Sequence, residues 1–224
     1  MKQLLNPAES EIVDAFHRLY WSKQLITRAH WLGYKSCQCP LDMWVFMEII
    51  FDTRPDVVVE TGTAWGGTAL FLASVCERLG RGRVICVDKL NPPDTPENPH
   101  HPRHPRIQYL QGNTADPRTV QLVTHLLQPN DRVMVILDTD HHTPAMIVEM
   151  DRFGALVTPG CYLVACDSNL NGHPVEPGWG TGPWEALEQW LPRHPEFEVD
   201  REREKFLMTV HPGGFLRRKL HGKQ

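Results

Sequence analysis

Four acidic residues each close an apolar, largely β-branched run. Glu60 follows Val57-Val58-Val59, Asp88 follows Val84-Ile85-Cys86-Val87, Asp138 follows Val133-Met134-Val135-Ile136-Leu137, and Asp167 follows Tyr162-Leu163-Val164-Ala165-Cys166. Such runs read as buried parallel strands, whose carboxyl ends share one crevice where ligands bind. Carboxylates gathered there are costly to bury unless they meet cations, hydroxyls or a metal. After Glu60 comes Thr61-Gly62-Thr63-Ala64-Trp65-Gly66-Gly67-Thr68, a glycine turn that opens a helical pattern and brings backbone N–H groups up to a small ligand. An acid beside that turn repels phosphate. It suits a cofactor with a cationic amino-acid portion, of which S-adenosylmethionine is the obvious one.

Asp88 stands where nucleotide-binding βαβ units place a ribose-binding carboxylate. A nicotinamide cofactor would satisfy it equally well. The turn separates the two, because Ala64 replaces the second glycine of the G-x-G-x-x-G pattern. The expected cofactor-binding set is Glu60, Gly62, Thr63, Ala64, Gly66, Gly67, Asp88, Asp138 and Asn113, the last lying just beyond a further strand.

Asp138-Thr139-Asp140-His141-His142 and Asp167-Ser168-Asn169 place two oxygen-rich clusters at adjacent strand ends. Together they suit a hard cation such as Mg²⁺, with Asp138, Asp167 and Ser168 as expected ligands. A cation there would lower the pKa of a substrate hydroxyl. His141 or His142 would take the proton, since an ordinary imidazole pKa of about 6.5 suits a base at neutral pH. The competing reading is that Asp138 caps the next helix and both histidines are solvated.

Alternating strands and helices must position these groups. Strands are expected at 57–60, 83–88, 107–111, 132–138 and 161–167, then at 197–200, 206–210 and 215–218. His211-Pro212-Gly213-Gly214 reads as a hairpin turn between the last two. A helix over 10–32, capped by Ser10, carries Ile12, Phe16, Leu19 and Tyr20 on one face. A second, over 40–51, has Trp44, Met47 and Ile50 spaced for burial. Further helices are expected at 68–79, at 119–127 behind Asp116-Pro117, at 145–156 and at 183–191. The pattern predicts an α/β, Rossmann-like fold: a doubly wound, mostly parallel sheet with a C-terminal antiparallel hairpin. It forms one domain, with a helical N-terminal extension over 1–54 ahead of a core over 55–224.

A length of 224 residues suits one such domain, and 41% apolar and 22% charged residues are ordinary for a globular chain. The net charge of −4 gives no reason to expect nucleic acid or an anionic membrane as partner. No apolar run approaches membrane-spanning length, and the start lacks the apolar core of a signal peptide, so a cytoplasmic protein is expected. A homo-oligomer is the expected assembly. Cys86, Cys161 and Cys166 read as core residues, and Cys37-Gln38-Cys39 lacks a second pair at zinc spacing. The Pro/His-rich segment 91–106, with His100, His101 and His104, reads as a loop rather than a metal site, because no carboxylate or cysteine is patterned with it. The Pro/Gly-rich segment 169–183, with Trp179, is expected to shape an acceptor pocket. Trp21, Trp31 and Tyr34 belong to a lid, a dimer contact or ordinary core.

The chain resembles the cephalosporin hydroxylase/rhamnosyl O-methyltransferase family of class I S-adenosylmethionine-dependent methyltransferases. The matching residues include Trp31-Leu32-Gly33, Pro40-Leu41-Asp42-Met43-Trp44, Pro55-Asp56-Val57-Val58-Val59-Glu60-Thr61-Gly62-Thr63-Ala64, and Val133-Met134-Val135-Ile136-Leu137-Asp138. They continue through Asn171-Gly172-His173-Pro174-Val175, Gly178-Trp179-Gly180-Thr181-Gly182-Pro183 and Phe197-Glu198-Val199-Asp200-Arg201-Glu202. The resemblance implies a cofactor held by the 60–67 loop with Asp88 on the ribose. It also implies a divalent cation held by Asp138 and by an acidic pair after the next strand. Here the chain departs: relatives resemble Glu-Asp-Thr where it has Cys166-Asp167-Ser168. Asp140, Ser168 or Asn169 would have to compensate, since cysteine is a poor ligand for Mg²⁺. In related catechol-type methyltransferases a lysine base stands three residues after the first metal aspartate, which favours His141 over His142. Hydroxylation would need iron or flavin chemistry, and no two-His-one-carboxylate pattern is found.

The expected function is therefore metal-assisted O-methylation of a hydroxyl on a sugar or secondary metabolite, with S-adenosylmethionine and Mg²⁺ as cofactors and His141 and Asp138 as catalytic residues. The alternatives are a cofactor-binding partner protein without turnover, motivated by Cys166, and a nicotinamide oxidoreductase.

Overall fold

The computed structural model describes residues 5–89 and 101–220. Its centre is a seven-stranded sheet in the order β5-β4-β3-β6-β7-β9-β8. The strands are β3 (Val57–Thr61), β4 (Arg83–Asp88), β5 (Ile107–Gln111), β6 (Val133–Leu137), β7 (Tyr162–Ala165), β8 (Phe197–Val199) and β9 (Phe215–Arg218). β5, β4, β3, β6 and β7 run parallel, while β9 is antiparallel to both β7 and β8. The helices between them are α3 (Gly67–Arg78), α4 (Pro117–Leu126), α5 (Thr143–Gly154) and α6 (Pro183–Trp190). In chain order β3, β4 and β5 step outward to one side and β6 starts the other side, so the direction reverses between β3 and β6. That reversal opens a crevice at their carboxyl ends.

Both faces of the sheet are covered, which explains the unbroken apolar runs. Val57, Val59, Val133, Val135, Leu137, Leu163 and Ala165 face a core shared with α4, α5 and α6. Val58, Met134, Ile136, Tyr162, Val164 and Cys166 face the opposite core with α3 and with α2 (Pro40–Thr53). Cys166 is thus a core residue by strand alternation, its thiol fully buried and pushed well above its ordinary pKa by burial.

The N-terminal segment departs from its expected form. A single helix over 10–32 was expected; instead α1 (Pro7–Ser22) stops, a 3₁₀ turn (Leu25–Arg28) follows, and a small hairpin of β1 (His30–Trp31) and β2 (Tyr34–Lys35) precedes α2. Asn6, not Ser10, caps α1. Its Oδ1 accepts from Glu9 N at 3.0 Å, and its own N–H donates to Glu9 Oε2 at 2.9 Å. Ile12 is 70% exposed and Phe16 and Leu19 each 53%, while His17 is the residue α1 buries. Trp44 on α2 is likewise exposed, though Ile50 is buried.

Residues 206–210 form no strand. Met208 and Val210 instead pack on Ile26 and Cys39, and the backbone of Val210 donates to Asp42. The C-terminal antiparallel pair is therefore β8 with β9, and 211–214 is not the turn of a hairpin between neighbouring strands. Of the expected Pro/His-rich loop over 91–106, residues 91–100, His100 among them, lie outside the described residues.

The β1–β2 hairpin is seated against the start of α3. A Cβ on Gly67 would stand 2.4 Å from the Lys35 carbonyl oxygen, and Thr68 Oγ1 donates to the Ser36 carbonyl at 2.8 Å. Gly67→Ala is expected to push the hairpin off the helix and cost about 1–3 kcal/mol of stability. A urea midpoint equal to that of the unsubstituted protein would contradict this.

Candidate functional site

The turn after β3 approaches the end of β6 as closely as backbone permits. Gly62 has φ +79°, and a Cβ there would lie 1.8 Å from the Asp138 carbonyl oxygen. Gly62 N donates to the Val87 carbonyl at 2.8 Å, and Asp138 N donates to the Thr61 carbonyl at 3.1 Å. These bonds hold the ends of β3, β4 and β6 in one plane. Above them lies a cleft of about 580 Å³, lined by Gly62, Ala64, Asp88, Asn113, Asp138 and His141 among others. That volume falls within the range of small-molecule sites, roughly 300–1,000 Å³. Asp88 Oδ2 accepts from Ala64 N at 3.0 Å, so the carboxylate is tied to the turn at the edge of the cleft.

The remaining residues of the expected cofactor set lie elsewhere. Thr63, Gly66 and Gly67 do not line the cleft. Glu60 does not line it either: the side chain is 2% exposed, lies beneath the turn beside Cys86, and is pushed up to about 8 by burial. Its Oε2 is buried without a hydrogen-bond partner. Strand alternation explains the placement, because Glu60 shares the face of Val58 and an acid there turns into the layer below the crevice.

At the other end of the cleft, Asp138, His141 and Asp167 each present an atom within 4.8 Å of the others. His141 Nε2 stands 3.4 Å from Asp167 Oδ2 and 3.9 Å from Asp138 Oδ1. Burial pushes the Asp138 carboxyl up to about 7, with the neighbouring charge of Asp167 adding to it, and burial pushes Asp167 up to about 7 as well. Two carboxylates and an imidazole arranged in this way fit a divalent cation, which would replace the protons that relieve their repulsion. Asp167 adopts φ +55°, and its N–H donates to His211 Nδ1 at 3.0 Å. His211 is fully buried, stacks on Phe46 and is held neutral, its pKa lowered to about 3 by burial.

The other expected contributors have partners outside the cluster. Ser168 Oγ donates to the Pro212 carbonyl at 2.7 Å, Asn169 Nδ2 donates to His17 Nε2 at 3.0 Å, and Asp140 pairs with the exposed His142 at 2.8 Å. Ser168 is fully buried and spends its hydroxyl proton, though not its oxygen lone pairs, on that carbonyl. His142 stacks on Trp179, whose Nε1 donates to the His141 carbonyl at 3.1 Å. The 169–183 segment therefore borders the cleft, and Trp21 Nε1 on α1 donates to Glu176 within it at 3.0 Å. His101 Nε2 lies 2.9 Å from the Ala64 carbonyl oxygen and His104 lies near Glu77, and among the described residues neither joins a metal-ligand cluster.

Besides His211, the sequence does not announce Gln38 and Glu149. Gln38, 1% exposed, donates from Nε2 to Asp138 Oδ2 at 2.7 Å. Glu149, 2% exposed on α5, accepts from the hydroxyls of Thr114 and Thr139 across the cleft wall, and burial raises its pKa. No local pattern announces Gln38. Glu149 could have been found as an acid on the buried stripe of α5.

Comparison with known proteins follows from this geometry. The family model described as Rhamnosyl O-methyltransferase/CmcI matches residues 23–219. The chain belongs to that family. It is 34% identical over 220 residues to a rhamnosyl O-methyltransferase of Mycobacterium leprae, covering 96% of this chain and 94% of the relative. It is 32% identical over 218 residues to the Mycobacterium tuberculosis (strain H37Rv) protein of that name, covering 96% and 88%. Among solved structures, a CmcI structure described with Mg and SAM superposes with a TM-score of 0.65 at 18% identity, covering 87% of this chain and 78% of CmcI. A Bacillus cereus O-methyltransferase superposes with a TM-score of 0.51 at 13% identity, covering 88% and 85%. This family member has the class I methyltransferase fold and is a methyltransferase.

The raised carboxyls set a pH dependence. Unfolded, Asp138 and Asp167 titrate near 3.8; folded, they hold their protons to about 7. The stability these protons supply is full below the unfolded value and is lost as pH rises through the folded one. The cation-free protein is expected to melt at progressively lower temperature from pH 5 to pH 8. Mg²⁺ or Mn²⁺ should raise the midpoint more at pH 8 than at pH 5. A cation effect equal at both values in thermal melts would contradict this assignment.

Proposed function

We propose that the cleft binds S-adenosylmethionine and that this chain methylates a hydroxyl of a sugar-bearing metabolite with the help of a divalent cation. The observation that carries the reading is the Asp138, His141 and Asp167 cluster, of which Asp138 and His141 line the switch-point cleft, in a chain of this family. The curated relatives are named rhamnosyl O-methyltransferases, which favours a rhamnose-like acceptor, and the fold-matched CmcI structure is described with Mg and SAM.

When bound, the two cofactors supply an electrophilic methyl on a sulfonium and a positive charge that acidifies the acceptor hydroxyl. The chain's own residues do the rest by positioning. Asp88 and Asn113 bind the nucleoside end, and the remainder lies against the turn at Gly62 and Ala64, which lines the cleft. Glu60 sets the turn from below. Asp138 and Asp167 hold the cation. His141 takes the proton of the hydroxyl at Nε2, the nitrogen that faces Asp138 and Asp167. Trp179 and the 169–183 segment border the acceptor and limit water.

The acceptor is a hydroxyl-bearing small molecule. The N-terminal extension and the core are read as one domain, because Gln38 reaches Asp138 and α2 packs on the sheet. A homo-oligomer fits the exposed Trp44 and Phe51, and six free thiols suit a reducing cytoplasm.

The test is transfer of labelled methyl from S-adenosylmethionine to a panel of rhamnosides and phenols. Label on a sugar hydroxyl is expected, and label on phenols alone would contradict the acceptor class. Asp138→Ala should abolish transfer while S-adenosylhomocysteine affinity, read by calorimetry, stays within a few-fold. His141→Gln should lower kcat by about 10²–10⁴-fold. Full activity in EDTA would overturn the cation's role.

A further inference from the structure

The cluster at the cleft wall offers two carboxylates to a hard cation that takes six or more oxygens. Asp140 pairs with His142, Ser168 donates to the Pro212 carbonyl, and Cys166 faces the apolar core; Asn169 Oδ1 is buried without a partner, but its Nδ2 is bonded to His17 and not to a carboxylate of the cluster. One further side chain reaches the cluster. Gln38 is 1% exposed, its Nε2 lies 2.7 Å from Asp138 Oδ2, and its Oε1 is buried with no hydrogen-bond partner. A buried amide oxygen without a donor is destabilising, and a bound cation is one partner that would satisfy it. A carboxamide turned about its last torsion presents NH₂ to a bare carboxylate and its carbonyl oxygen to a cation.

The backbone around Gln38 is anchored on both sides. Ser36 N donates to the Ala29 carbonyl at 2.9 Å, and the Ser36 carbonyl accepts from Thr68 Oγ1 at 2.8 Å. Cys39, fully buried, is the N-cap residue of α2. The side chain is therefore delivered to the end of β6 from a segment 100 residues away in sequence.

We propose that Gln38 is a ligand of the divalent cation, its carboxamide oxygen joining the carboxylates of Asp138 and Asp167 as a neutral third donor. The inference rests on the cation-assisted reading above and extends it to the N-terminal extension, which then completes the site instead of merely covering it.

Mn²⁺ binding followed by electron paramagnetic resonance, with S-adenosylhomocysteine present and no acceptor, tests this without turnover. Gln38→Leu should weaken Mn²⁺ by about 10–100-fold with unchanged S-adenosylhomocysteine affinity. Gln38→Glu separates a ligand from a group that only steadies Asp138. A carboxylate ligand should bind Mn²⁺ at least as tightly as the unsubstituted protein, whereas a steadying group replaced by a like charge should bind it more weakly. Weaker binding by Gln38→Glu, or unchanged binding by Gln38→Leu, overturns the ligand role alone. Failure of the unsubstituted protein to bind Mn²⁺ at all overturns the cation-assisted reading with it.

Discussion

Two half-buried carboxylates close together at the ends of adjacent strands are the constraint on which the rest of this structure turns. Asp138 and Asp167 cannot both be charged in that setting without a compensating positive group, and burial raises both. A divalent cation supplies that compensation. The surrounding fold keeps the pair from relaxing apart. β6 and β7 are paired in register, Asp138 N is bonded to Thr61, and Asp167 N is bonded to a buried, neutral imidazole.

The same arrangement explains why the glycine turn is tight. Gly62 must pass against the Asp138 carbonyl, so the cleft floor and one carboxylate are positioned by a single backbone contact. A side chain at 62 would separate the cofactor end of the crevice from the cation end. The two functions of the cleft are thus mechanically linked through a residue with no side chain.

Legibility in the sequence followed burial. The strands at 83–88 and 107–111 were read to the residue, and the four strand-end acids were found, because continuous apolar runs between punctuating turns leave few alternatives. Helical periodicity misled at the N-terminus. Ile12, Phe16 and Leu19 do share a face, but nothing among the described residues buries it, and the helix ends without a proline or glycine signal at Gln24, which adopts a left-handed conformation. The apolar run at 206–210 was taken for a strand, yet its buried residues pack beside α2 and its backbone satisfies Asp42. Glu60 was identified as an important acid, while its direction, into the layer beneath the cleft, follows from strand alternation. Gln38 and His211 were invisible because each acts through a partner distant in sequence.

The central claim is that a divalent cation sits between Asp138 and Asp167, beside the S-adenosylmethionine site. The most direct measurement is anomalous diffraction from crystals grown with Mn²⁺ and S-adenosylhomocysteine. The account predicts one strong manganese peak bounded by Asp138 and Asp167, with the nucleoside in the cleft beside Asp88. A cleft filled by S-adenosylhomocysteine with no peak between the two carboxylates would contradict it.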